Sequence, residues 1–172
     1  MDMQIGLRRL ELFQGEYRVT SDWRISLSTV LGSCVAVCLL DPVAGVAGMN
    51  HFLLPHSPNP RGAPDARYGD FSMRMMLATM LARGATINDL QAKVYGGAAT
   101  LSTSCDVGER NVEFALAYLD RERIPVFGGC VGGGLARRIT FIPGDGDVVL
   151  HRRPTVAANT VRSGDASPRF AA

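Results

Sequence analysis

The stretch Cys34-Val35-Ala36-Val37-Cys38-Leu39-Leu40, halted by Asp41-Pro42, decides the reading of the fold. It is apolar, rich in valine and too short for a core helix, so it reads as a buried β-strand. Asp41-Pro42-Val43-Ala44-Gly45 supplies the residue types that a tight turn needs. Val46 to Leu54 then returns as a second strand and ends at Pro55. The pair is a β-hairpin that starts at Cys34 and carries His51 on its return strand.

Upstream of the hairpin, Tyr17 to Thr20 and Arg24 to Ser28 read as short strands, and Met1 to Glu16 as a loosely ordered segment. Downstream, His56 to Ala66 carries Pro58, Pro60, Gly62 and Pro64 and reads as a surface loop. A helix follows from about Asp70 to Arg83, with Asp70 or Ser72 as its cap and Phe71, Met75, Met76, Thr79 and Met80 at helical spacing. Gly84 ends it. Leu90 to Tyr95 is a strand, closed by a Gly96-Gly97 turn. A second helix runs from about Val107 to Arg121, with Val112, Leu116 and Leu119 on one face and Ala115 beside them. Ile124 to Gly129 is a strand leading into the glycines at 132 to 134. Leu135 to Ile142 and Val148 to Arg152 flank Gly144-Asp145-Gly146 as a last hairpin. Strands and helices do not alternate strictly, which favours an α+β protein over a doubly wound sheet. The organisation is an N-terminal segment (1–16), one domain (17–153) and a polar tail (154–172) expected to be disordered.

The chain has 172 residues, with 18 Lys+Arg against 16 Asp+Glu and a net charge of +2. That balance is too even for a dedicated nucleic-acid binder. With 47% hydrophobic and 20% charged residues the composition is that of a globular protein with a sizeable core. The longest apolar run, Val30 to Leu40, falls short of the roughly 20 residues of a spanning helix, so no membrane insertion is expected. Met1 to Phe13 holds Arg8, Arg9 and Glu11 and no apolar signal core. The expectation is a cytoplasmic protein whose four cysteines are free thiols.

Those cysteines and three histidines are the reactive inventory. Cys34, Cys38, His51 and His56 match the spacing of a zinc finger, but geometry rejects it. On a strand Cys34 and Cys38 lie roughly 13 Å apart, whereas two thiolates on one zinc each sit about 2.3 Å from it. Pro55 also interrupts the segment that would have to be helical. Cys34 and His51 alone are a different matter. Antiparallel neighbours can bring such a pair within about 5 Å at the backbone. An imidazole can take a thiol proton, and the thiolate is the nucleophile. Gly32 admits a close approach, and N–H groups around Ser33 and Cys34 can stabilise an oxyanion. From spacing alone, inert packing of both residues remains the commoner outcome. Cys38, Cys105 and Cys130 read as packing or incidental residues, His56 and His151 as surface residues, and Met73 to Met80 as core or a partner surface.

Beyond the hairpin, the motifs form an ordered set. Leu31-Gly-Ser-Cys-Val-Ala-Val-Cys-Leu-Leu-Asp-Pro42, Asn50-His-Phe-Leu-Leu-Pro55, Arg67-Tyr-Gly-Asp70, Ala92-Lys-Val-Tyr-Gly-Gly-Ala98, Gly108-Glu-Arg-Asn-Val112 and Arg137-Arg138 together resemble the chemoreceptor glutamine deamidase family, CheD. The resemblance spans about Tyr17 to Arg153. It implies a three-layer α/β/β sandwich, similar to the catalytic domains of deamidating toxins. It implies that Cys34 is the nucleophile, His51 the base and a preceding hydroxyl residue the third member, Thr29 with Ser28 as the alternative. The implied substrates are glutamine side chains of methyl-accepting chemotaxis receptors, converted to glutamate without metal or organic cofactor. A CheC-type chemotaxis phosphatase is an implied partner, and an adaptor role with little catalysis is the alternative. The loop 56–66 and the glycine-rich segment 128–134 are candidate rims of the site. Arg67, Arg137 and Arg138 are candidate contacts for acidic receptor helices.

Overall fold

The computed structural model of the chain describes residues 6–99 and 105–153. The expected tail, 154–172, lies outside the described residues. The strands are β1 (Arg8–Glu11), β2 (Glu16–Thr20), β3 (Ile25–Leu31), β4 (Val35–Asp41), β5 (Val46–His51), β6 (Gln91–Gly96), β7 (Val126–Val131), β8 (Ala136–Ile142) and β9 (Asp147–Arg153), with helices α1 (Gly69–Ala82) and α2 (Cys105–Arg121). They build a four-stranded sheet, β1-β3-β8-β9, and a five-stranded sheet, β2-β5-β4-β6-β7. The architecture is mixed α+β, as the absence of strict alternation in the sequence implied.

The central hairpin forms as read. β4 and β5 pair antiparallel from Cys38↔Met49 to Asp41↔Val46, with a further bridge at Val35↔Phe52. The turn is held by Asp41, whose carboxylate accepts the N–H groups of Val43 at 2.9 Å and Ala44 at 2.8 Å. Near the open end, Asn50 Oδ1 accepts the Val37 N–H at 2.9 Å, a side chain standing in the ladder. The last hairpin also forms, as β8 and β9 around Gly144 to Gly146.

Period-2 alternation splits the five-stranded sheet between two cores. Val35, Val37 and Leu39 face the helices, packing with Met73, Met76, Met80, Ala115 and Leu119. Cys34, Ala36 and Cys38 face the four-stranded sheet, packing with Leu27, Leu31, Ile139 and Phe141. Each large side chain buried this way stabilises the fold by roughly 1.5–3 kcal/mol. Met73, Met76 and Met80 of α1 are therefore core.

Four expectations need correction. The opening segment is not loose throughout: residues 8–11 form β1, which runs parallel to β3 with Arg8↔Ile25 and Glu11↔Ser28. No local pattern marks such an edge strand, because its partner lies far along the chain. The N-cap of α1 is Tyr68, without a side-chain cap, rather than Asp70 or Ser72. The buried face of α1 is Ser72, Met73, Met76, Leu77 and Met80, not the Phe71–Met75–Thr79 row. On α2, Leu119 and Ala115 turn inward as expected, but Leu116 is exposed and Tyr118 joins the buried face.

Candidate active site

Cys34 sits on the short connection between β3 and β4, and three elements pin that connection. Gly97 N–H donates to Cys34 O and Ala98 N–H to Gly32 O, both at 2.8 Å. Asn111 of α2 donates from Nδ2 to Ser33 O and to Leu53 O, each at 2.9 Å. The approach of β6 requires glycine: Gly96 has φ 110°, and a Cβ there would lie 2.1 Å from Cys34 O. The Gly-Gly turn and the Gly108–Val112 motif, packed against each other, thus both hold the backbone around Cys34. Cys34 is only 4% exposed.

His51 closes β5. Alternate residues of that strand face opposite ways, so Asn50 meets Met73 of α1 while Met49 and His51 face the four-stranded sheet. There His51 Nδ1 meets Thr29 Oγ1 of β3 at 2.8 Å. The Thr29 hydroxyl spends its one proton on Leu12 O, at 2.7 Å. It therefore accepts at the second contact, and His51 Nδ1–H donates. This fixes the tautomer and leaves Nε2 as a bare lone pair. Nε2 is buried and has no hydrogen-bond partner among the described residues. Burial lowers the His51 pKa to about 4, against a smaller upward pull from the Leu12 carbonyl.

The structure brings Thr29, not Ser28, to the imidazole. Ser28 points to the other face of β3, where its hydroxyl donates to Ile139 O at 2.9 Å. Cys34 and His51 share a face, but they are diagonal rather than directly opposite: the Val35↔Phe52 bridge puts Ala36 across from His51. Diagonal neighbours lie about 7–8 Å apart at the backbone, within reach of long side chains. No hydrogen bond joins the two among the described residues; the Cys34 thiol accepts from Gln14 Nε2–H at 3.5 Å. Burial pushes the Cys34 pKa up to about 11, partly offset by that donation. Thiol and imidazole are both neutral at rest.

A cavity of about 460 Å³ opens at this place, lined by Leu12, Phe13, Gln14, Thr29, His51 and Arg138 among others. Arg138 pairs with Glu11 at 2.5 Å on its wall. The expected rims are elsewhere. Residues 57–65 line a separate cavity of about 300 Å³ with Tyr68 and Arg74, and Val131 to Gly134 line others. Of the three candidate receptor-contacting arginines, Arg67 is paired with Asp65. Arg137 is 3% exposed and its guanidinium holds the Cys130 and Gly132 carbonyls, so it is a brace for the glycine-rich segment, not a contact. Cys38 is core, and His56 lies exposed against the Phe114 ring. No cluster of three or more His, Cys, Asp or Glu able to hold a metal occurs among the described residues. No helix among them is long and apolar enough to cross a membrane. Leu12 and Gln14 went unnoticed in the sequence, since neither carries a motif beyond the neighbouring Gly15.

The family model of CheD chemotactic sensory transduction matches residues 53–152. A relative in Agrobacterium fabrum (strain C58 / ATCC 33970) is 44% identical over 94% of this chain and 88% of its own. This chain belongs to the CheD family. Both that relative and one in Rhizobium leguminosarum bv. trifolii (strain WSM2304), 48% identical over 91% of this chain and 85% of its own, carry the name "Probable chemoreceptor glutamine deamidase CheD". Among solved structures, the Bacillus licheniformis hypothetical protein YfiH aligns with TM-score 0.40 and 14% identity over 75% of this chain and 62% of that chain, a likeness too low to carry an argument. Of the CheD motifs in the sequence, the one around Cys34 and the one around His51 meet at the seam between the two sheets.

Proposed function

We propose that this CheD-family protein is a protein-glutamine deamidase that converts glutamine side chains of methyl-accepting chemotaxis receptors to glutamate. The observation that carries the reading is the bare Nε2 of His51, held in its tautomer by Thr29 on the face that also presents Cys34. The relatives' shared name supplies the substrate class.

The chemistry follows from the neutral resting pair. His51 Nε2 takes the Cys34 proton as the sulfur attacks the glutamine carboxamide carbon. The S–C bond forms, and the carbonyl electron pair moves onto oxygen. On collapse the C–N bond breaks, and the imidazolium returns its proton to the departing ammonia. Water, deprotonated by the same Nε2, then hydrolyses the thioester and frees the thiol. Thr29 keeps the imidazole in the tautomer that every step uses. Every step needs only these residues, the substrate amide and water.

The finer features of the reading are proposals of the same standing. The two cores support a three-layer α/β/β sandwich of the deamidating-toxin kind. Residues 17–153 are its catalytic unit, with β1 added from the segment before it and 154–172 appended. A CheC-type phosphatase is a partner, and the site of action is the cytoplasm, where receptor signalling domains lie.

The test is mass spectrometry of a receptor cytoplasmic fragment incubated with the protein or with Cys34→Ala. Glutamine-to-glutamate conversion, a gain of about 1 Da at the modified residue, is expected with the unmutated protein alone. Conversion by both proteins would move the nucleophile elsewhere. No conversion of several receptors by the folded protein would sink the deamidase reading.

A further inference from the structure

We propose that Gln14 is a catalytic residue: its side-chain amide is the side-chain donor that holds the oxyanion formed when Cys34 attacks a substrate carboxamide. The inference deepens the deamidase reading and rests on it.

The reacting oxygen has to appear next to the sulfur, and among the described residues the side-chain N–H in contact with it is that of Gln14. Gln14 Nε2 donates to Cys34 Sγ at 3.5 Å, a long contact from a group with a second N–H to spare. Gln14 is exposed and lines the cavity whose wall also holds the buried Thr29 and His51, whereas Cys34, in contact with the Gln14 amide, is buried behind that wall and does not line the cavity. Gln14 thus stands between that cavity and the sulfur, the place where a substrate amide would have to approach. Swinging the amide from sulfur to an oxygen bonded to the same centre needs little movement.

Its position is also prepared in advance. Gln14 lies on the turn that crosses from β1 to β2, and each neighbour is held by a hydrogen bond, Leu12 and Gly15 to residues of the site. Leu12 O accepts from Thr29 Oγ1, and Leu12 N–H donates to Ser28 O at 2.7 Å. Phe13 N–H donates to the Glu16 carboxylate at 3.0 Å. Gly15 N–H donates to the main-chain oxygen of His51 at 2.8 Å. Gly15 has φ 81°, and a Cβ there would meet Arg67 Cγ at 2.6 Å, so the turn holds this shape only with glycine. One strap thus carries the tautomer anchor at Leu12 and the donor at Gln14. With the backbone of the strap held in place, only a small side-chain movement brings the donor onto the developing charge. In the proposed step the S–C bond forms, the carbonyl π pair becomes the oxyanion, and the Gln14 N–H transfers its hydrogen bond from sulfur to that oxygen. No proton leaves Gln14.

The test compares the unmutated protein with Gln14→Ala and Gln14→Glu in two assays on the same samples. The first is receptor-glutamine deamidation, read as kcat and KM. The second is alkylation of Cys34 by iodoacetamide, followed by peptide mass spectrometry, in which a displacement at carbon forms no oxyanion. The expected result is a fall in kcat of roughly 10²–10³-fold, as for loss of one oxyanion donor. KM should stay within a few-fold, and alkylation should be unchanged or faster because the thiol is uncovered. A kcat within threefold of the unmutated protein overturns the proposal. So does a parallel loss of deamidation and alkylation, which would make Gln14 a modulator of the thiol. Absence of deamidation by the unmutated protein overturns the deamidase reading itself, and this inference with it.

Discussion

Thr29 and His51 belong to different sheets, yet their side chains meet at 2.8 Å, with the threonine hydroxyl already committed to Leu12 O. That commitment decides which imidazole nitrogen is protonated. Removing the hydroxyl while keeping the shape, as in Thr29→Val, frees the ring to adopt the other tautomer. The expected result is a drop in kcat of roughly 10–100-fold, part of the 10²–10⁴ that a positioned base supplies. Stability should fall by only about 1 kcal/mol, one hydrogen bond's worth. Thr29→Ser should recover most of the activity. Steady-state deamidation and urea unfolding check both halves, and full activity in Thr29→Val would remove Thr29 from the mechanism.

The buried imidazole makes stability depend on pH in a definite direction. The His51 pKa falls from 6.5 to about 4 on folding, because burial disfavours its charged form. Between those values the unfolded chain binds more protons than the folded one. Its contribution is therefore complete above pH 6.5 and is lost as pH falls toward 4. Going from pH 7 to 5 should cost about 2 kcal/mol in the unmutated protein. His51→Gln should lack that component. Denaturant midpoints at the two pH values give the difference.

Kinetics should follow the same two groups. With His51 neutral down to about 4 and Cys34 a thiol up to about 11, the acid limb of kcat/KM for the free enzyme lies well below 6.5. An acid limb at 6.5, with Cys34 titrating below 8, would show a preformed thiolate–imidazolium pair instead.

Asn111 offers a test of how the nucleophile is placed. It bonds Ser33 O and Leu53 O from α2 without touching the cavity. Asn111→Asp keeps the shape and loses the donor. It should lower stability by about 1–3 kcal/mol and kcat by up to roughly 100-fold, since small displacements of a reacting group are costly. If kcat holds while stability falls, Asn111 serves the fold alone.

The parts of this fold legible in the sequence were those decided locally. The β4–β5 hairpin declares itself through an apolar run, an Asp-Pro turn and a return strand, and β8–β9 does the same around Gly144 to Gly146. Both helices show a period and a stop signal. Their inward faces were harder to read, because Leu116 and Met75 are apolar yet only tertiary packing says which way they turn. β1 was missed because its parallel partner β3 lies across an intervening strand, and a short edge strand with Arg8 and Arg9 has no alternation to betray it. Arg137 was misjudged for a related reason: a guanidinium can be buried when carbonyls meet it, and sequence does not show the carbonyls. Cys34 and His51 were visible as a pair on one hairpin. Gln14 was not, because an exposed glutamine beside a glycine carries no pattern until the turn is seen crossing above the sulfur.

Between β1 and β2 the chain steps directly from one sheet into the other, since β1 lies beside β3 and β2 beside β5, with residues 12–15 as the crossing. Thr29 comes from the first sheet, His51 from the second and Leu12 from the step between them. Neither sheet alone holds the oriented imidazole. On the proposed mechanism, a partly folded chain with its strands paired but the seam still open would carry the thiol without an oriented imidazole. Turnover in this protein reports that its two halves have closed.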